Sequence, residues 1–141
     1  MTPEQKDILR DTWRAVAPIA DDAAKLFYDR LFEIDPGTRP LFARTKMPEQ
    51  RAKLIAAIGH VIDGLDEFDA IVPTIEALGR RHAGYDVTDA HYFSVGAALL
   101  WTLEQGLGVA WTPAAADAWS SAYTLIADTM RRAAAESMVA A

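Results

Sequence analysis

The stretch "ALGRRHAGYDV", residues 77–87, sets His82 behind two arginines and two residues ahead of Gly84. A glycine just past a run of regularly spaced apolar residues marks a helix C-terminus. Upstream, Ile71, Ile75 and Leu78 are separated by four and three residues, and the next step of four lands on His82. Positions so spaced share one face of a helix. The spacing therefore predicts a helix over 69–83 with His82 turned inward at the end of an apolar stripe. A lone inward histidine is most often a core residue bonded to a backbone carbonyl. Its sharper reading is a single axial ligand to a metal held by something other than protein.

The rest of the chain shares this helical period. Leu9, Trp13 and Val16, then Ala24, Phe27 and Leu31, then Leu54, Ile58, Val61 and Leu65 fall three and four apart. So do Val95, Leu99, Leu103 and Leu107, and after a "GLGVAWTP" break Trp119, Ala122, Ile126 and Met130. Helix starts are signalled by "TPEQ" at 2–5 with its capping-box glutamine, by Asp35-Pro36, by Thr88-Asp89 and by "TPAA" at 112–115. No alternating run or Asn-Gly hairpin competes. The expected class is all-α, with about six to seven unequal helices and a short proline-led turn near 36–42. No internal repeat is visible.

A chain of 141 residues suits one domain, which at this size removes roughly 68% of its unfolded surface from water; the expectation is a single domain over 1–141. Twenty acidic residues against fourteen basic ones give a net charge of -6, and no basic stripe extends beyond Arg80-Arg81 and Arg131-Arg132. Nucleic acid is a poor partner for such a chain. The N-terminal "MTPEQKDILRD" has neither a basic start nor an apolar run, and no segment is long enough to span a bilayer, so a cytoplasmic location is expected. With no cysteine there is no disulfide and no thiolate chemistry.

A metal held by protein alone would need three or four ligands at workable spacing. His60 and His91 are the only other histidines, and no His-Glu-x-x-His pair is present. The acidic run "DGLDEFD" at 63–69 lacks the spacing of a calcium loop and reads as a solvated corner between helices. Haem differs, because the porphyrin supplies four nitrogens and the protein need give only one imidazole.

A haem pocket requires a second inward face, mostly apolar, with few polar groups. Two segments qualify. From Pro48 to Asp66, Gln50 lies one turn before Leu54 on the stripe that continues through Ile58. On 20–34, Tyr28 follows Ala24 by four and precedes Leu31 by three, so its ring also turns inward. His60, ten residues after Gln50, points about 280° around the helix from it and is not expected to ligate.

These residues belong to a larger pattern: "LFYDRLFEIDP" at 26–36, "LF" at 41–42, "QRAKL" at 50–54, "LGRRHAGYDV" at 78–87 and "HYFSVGAALLWTLEQGLG" at 91–108. In order and spacing the chain resembles a bacterial globin of the flavohaemoglobin and single-domain haemoglobin group. The resemblance implies the globin fold and haem b (iron protoporphyrin IX). It makes His82 the proximal iron ligand, Tyr28 and Gln50 the distal hydrogen-bonding pair, Leu54 the apolar neighbour over the iron and Phe42 the ring against the porphyrin face. Lys53 and Arg81 become candidates for the haem propionates, and Tyr92 a proximal-side pocket residue.

The same resemblance implies reversible O2 binding at ferrous iron for storage, delivery or sensing. The alternative is conversion of NO to nitrate with an external reductase, and CO is a further ligand of the same site. A weaker rival is a helical module that binds no haem. Enzymatic members of the group carry a reductase domain after the globin, and the expectation here is a globin domain without one. They also carry a glutamate on the last helix that joins the histidine and the tyrosine equivalent to Tyr92. Counted without gaps from Trp119, that position is Ala134, with Glu136 two residues on.

Overall fold

The computed structural model describes residues 1–140, with side chains to Glu136. Among them are six α-helices and no strand. Helix α1 spans Pro3–Val16, α2 Ala20–Ile34, α3 Met47–Asp63, α4 Phe68–Gly84, α5 Asp89–Leu107 and α6 Pro113–Ala140, with short 3-10 turns at Ala17–Ile19, Pro36–Phe42, Leu65–Glu67 and Gly108–Ala110.

Local chemistry sets these limits. Thr2 and Gln5 form a reciprocal capping box at α1, with bonds of 3.0 and 3.1 Å, and Thr112 accepts from the Ala115 amide at α6. Pro36 ends α2, since the residue before a proline is driven out of helical geometry; Asp35 has φ -141° and ψ 78°. Asp35 does not cap the turn after it, as its sequence position suggested. Its carboxylate instead accepts from the Ser94 hydroxyl at 2.7 Å, tying the end of α2 to the start of α5.

Two helix ends also depart from the sequence reading. The stripe expected to run to Asp66 is broken at Gly64, where a β-carbon would lie 2.8 Å from Ile71 Cγ2; α3 stops at Asp63, and Leu65 is buried in the corner. Gly84 closes α4, but the left-handed residue after it is Asp86, at φ 64°, a conformation that aspartate tolerates better than most side chains.

The main core joins α1, α5 and α6 through Leu9, Val16, Leu103, Leu107, Ala118 and Trp119. A buried polar tie within it is the Trp119 indole N–H to the Thr12 hydroxyl at 2.9 Å, and that hydroxyl donates in turn to the Ile8 carbonyl. Helix α2 crosses α5, α3 rests on α1 and α2, and α4 lies along α6. The α4–α6 crossing is unusually close: a β-carbon on Gly79 would fall on the Met130 backbone, its Cα only 2.6 Å away. Helices α3 and α4 thus leave one corner for different partners, and no extensive packing joins them.

Because backbone, unlike a flexible side chain, cannot step aside, Gly79→Ala should cost about 1–3 kcal/mol through forced separation of α4 from α6. Gly84→Ala, whose β-carbon meets nothing within 4 Å, should be neutral or gain up to about 1 kcal/mol from helix propensity. Urea midpoints of the two variants check this; equal midpoints would contradict the close crossing.

Candidate functional site

Two apolar clusters beside the main core hold most of the residues singled out in the sequence. One holds Phe27, Tyr28, Leu31 and Ala98, with Phe32, Phe42, Met47, Leu54, Val95 and Leu99 packed against it. The other holds Ile71, Ile75 and Met130, with Leu78 and Tyr92 against it. Helix α5 contributes to both: Tyr92 packs with the second, and Val95, one turn on, with the first. Phe42, Leu54, Val95, Leu99, Leu78 and Tyr92 are all only half-buried. Each cluster therefore keeps part of its apolar surface uncovered.

Tyr28, 5% exposed, lies edge-on to Phe27 and Phe42, with ring centroids 4.9 and 5.4 Å away. Such edge-to-face pairs fix a ring's orientation. The Gln50 Nε2–H donates to the Tyr28 hydroxyl oxygen at 3.1 Å. That bond uses the hydroxyl as acceptor, and among the described residues no protein group accepts the phenol's own proton. Burial raises the Tyr28 pKa above its ordinary value, with the Gln50 bond pulling it partly back.

His82 is half-buried at the end of the stripe Ile71, Ile75, Leu78. Its Nδ1 lies 2.8 Å from the Leu78 carbonyl oxygen. A carbonyl can only accept, so Nδ1 carries the proton and Nε2 of the neutral ring is left with its lone pair. Burial holds the imidazole below its ordinary pKa, which favours that neutral form; the Leu78 bond opposes this and nearby Arg81 adds to it. The His82 carbonyl accepts from the Tyr85 and Val87 amides, which fastens the turn after the helix.

His82 and Gln50 stand at matching distances from the shared corner. Gln50 is 13 residues before the end of α3 at Asp63, and His82 is 14 after the start of α4 at Phe68. At 1.5 Å per residue each is about 20 Å along its helix. His60 and Lys53 are exposed on α3, Arg81 is exposed on α4, and neither cation forms an ion pair among the described residues. No group of three or more metal-ligating side chains is found among those residues.

On α6, Ala134 is half-buried and Glu136 exposed. Arg131 reaches α5 through Asp89 at 3.0 Å, and so does Tyr123, which the sequence pattern did not single out. Its ring fills the space beside Gly96, where a β-carbon would lie 2.7 Å from Tyr123 Cε2, and its hydroxyl donates to the Tyr92 carbonyl. The signal was present: Gly96 is four residues after Tyr92, and Tyr123 four after Trp119. Tyr28, Tyr92 and Tyr123 all have pKa values raised mainly by burial. Each phenol keeps its proton longer folded than unfolded, so their contribution is complete below the unfolded value of 10.0 and is lost as pH rises beyond it. Unfolding free energy should accordingly decline above about pH 10. Tyr123→Phe should flatten that decline and, through the lost hydroxyl bond, cost about 0.5–1.5 kcal/mol at neutral pH; an unchanged alkaline slope in denaturant titrations would contradict this.

Comparison with known proteins agrees with this architecture. A flavohemoprotein of Bacillus subtilis is 31% identical over 124 residues, covering 86% of this chain and 31% of that protein. One from Bordetella parapertussis is 27% identical over 92% of this chain and 33% of its own length. The chain thus spans about a third of the flavohemoproteins it matches. Neuroglobin of Danio rerio is 25% identical, covering 94% of this chain and 91% of that protein. Among solved structures, a bacterial globin from Campylobacter jejuni superimposes with a TM-score of 0.83 at 25% identity, covering 96% of this chain and 97% of that one. A hexacoordinated heme protein from an anhydrobiotic tardigrade shares the fold, with a TM-score of 0.84 at 16% identity over 95% of each chain. The globin family model matches residues 25–130, from within α2 to Met130 at the α4–α6 crossing, and so takes in the residues of both clusters: this chain belongs to the globin family.

Proposed function

We propose that this chain is a haem-b protein that binds O2 reversibly at ferrous iron, with residues 1–141 acting as one globin domain. The observation that carries the reading is the bond from Gln50 to Tyr28. It occupies the phenol oxygen as acceptor and leaves its O–H, in an apolar wall, without a protein partner among the described residues. A buried donor without an acceptor is costly unless a ligand supplies one.

The residues fit haem. The half-buried apolar walls offer surface for a flat macrocycle, and Nε2 of His82 offers a neutral nitrogen whose ring is held by the Leu78 carbonyl. On this reading His82 would ligate the iron, Phe42 would pack against the porphyrin, Leu54 would lie near the bound gas, Tyr92 would line the His82 side, and Lys53 and Arg81 would meet the propionates. When bound, haem supplies the iron to which a diatomic gas adds.

The protein's own contribution is polar restraint on both sides. Tyr28 would donate to the partial negative charge of the gas, and Gln50 holds Tyr28 for that task while strengthening its O–H as a donor through their shared bond. Ala134 offers no acid or base, and Glu136 is exposed. That absence of a proximal carboxylate at either position favours O2 retention over the NO-converting alternative, although NO and CO compete for the same position.

Gln50 acts through Tyr28, so the two variants should differ. Losing a hydrogen bond to a charged partner, about 1.5–3 kcal/mol, corresponds to roughly 10- to 160-fold faster release if it falls wholly on the off-rate. Tyr28→Phe should lie in that range and Gln50→Leu below it. Stopped-flow O2 dissociation decides this; a Tyr28→Phe protein that keeps O2 as long as the parent would refute it.

The ferrous protein without added gas should also be five-coordinate, since a neutral amide ligates iron poorly beside imidazole and His60 is exposed. A six-coordinate low-spin absorption spectrum would contradict this.

A further inference from the structure

Charge is distributed unevenly along this acidic chain. Between Asp35 and Asp63 stand Arg39, Arg44, Lys46, Arg51 and Lys53 against Glu49 alone, a net +4, while the remaining nine cations and nineteen carboxylates carry -10. Arg51 is spent on Asp21, at 3.0 Å. Arg39, Arg44, Lys46 and Lys53 are exposed, and none of them forms an ion pair among the described residues.

Arg39, Arg44 and Lys46 border the Tyr28 cluster. The turn 43–46, which bears Arg44 and Lys46, lies between Phe42 and Met47, and both of those side chains pack into the Tyr28 cluster. The Arg39 guanidinium is stacked over Phe32 with its carbon 4.8 Å from the ring centroid, and Phe32 is 5.6 Å from Phe42. A guanidinium held over a ring face still has N–H groups to offer a carboxylate.

We infer that the face built from Arg39, Arg44 and Lys46 docks an acidic electron-carrier protein that reduces the iron of the haem proposed above. The inference rests on that haem reading for its purpose but on charge and position for its place. A lipid surface suits the face less well. None of the exposed large apolar side chains lies between residues 36 and 62, so no anchor accompanies the charge. An extended anionic surface would also meet the -10 of the remainder, whereas a protein of limited size needs to meet only this face. In the step itself, a flavin hydroquinone anion gives one electron and becomes the neutral semiquinone, and ferric iron becomes ferrous with no proton transferred.

Flavodoxin, an acidic FMN protein, serves as the probe. Oxidised flavodoxin is titrated into the 15N-labelled full chain in its ferrous CO form, or as purified if no Soret band is present, and amide shifts report docking without electron transfer. Reduction of the ferric form by flavodoxin hydroquinone is then timed at several salt concentrations. Shifts should concentrate in residues 39–53, and Arg44→Glu with Lys46→Glu should raise Kd and slow reduction by roughly tenfold or more at low salt, an effect that fades as salt increases. Arg14→Glu with Arg132→Glu makes the same change of net charge outside the face and should alter either by less than about threefold.

Equal weakening by the two pairs, shifts outside 39–53, or capture by phosphatidylglycerol vesicles through the same residues with no flavodoxin binding would each overturn the inference. A missing Soret band would instead defeat the haem reading, and the amide shifts would still decide where the carrier docks.

Discussion

Where Gly79 meets Met130, two helix backbones touch, and the layout of the site depends on that contact. Close approach commits α4 to α6 along much of its length and so keeps it from packing on α3, although only a short 3-10 turn separates the two in sequence. Leu78, just before the crossing, supplies the carbonyl oxygen that accepts the Nδ1–H of His82, one turn later. The helix that gives up its side-chain bulk to dock on α6 thus presents a neutral imidazole at the far end of an open corner.

The facing wall solves a different problem. An apolar pocket strengthens each hydrogen bond made inside it and penalises each one left unmade, so its polar groups must be few and held. Tyr28 is held by aromatic edges on two sides and by the Gln50 amide. The arrangement fixes the phenol without consuming its proton. On the proposed reading, the two sides would offer one nitrogen lone pair and one O–H to a haem and its gas.

Much of this was legible because helical period is a direct consequence of burial. The stripes through Ile71, Ile75, Leu78 and His82, and through Ala24, Tyr28 and Leu31, place those side chains from residue spacing alone, and the capping box of Thr2 and Gln5 places the start of α1. What the sequence concealed lies between segments. Nothing in a one-dimensional pattern assigns the Asp35 carboxylate to Ser94, fifty-nine residues away, or brings Tyr123 over Gly96. Gly64 and Gly79 read alike as small helical-region residues; only packing makes one a stop against Ile71 and the other a crossing on Met130. The basic segment was missed for another reason: a net charge of -6 averages away a local excess of the opposite sign.

The central claim is that His82 Nε2 is the nitrogen that holds iron, and the absorption spectrum of His82→Ala, with and without added imidazole, tests it most directly. The account predicts a Soret band in the parent, its loss or marked weakening in the variant, and recovery of a histidine-like ferrous spectrum when imidazole enters the space the ring vacated. A variant with the parent's spectrum and no response to imidazole would place the ligand elsewhere and contradict the account.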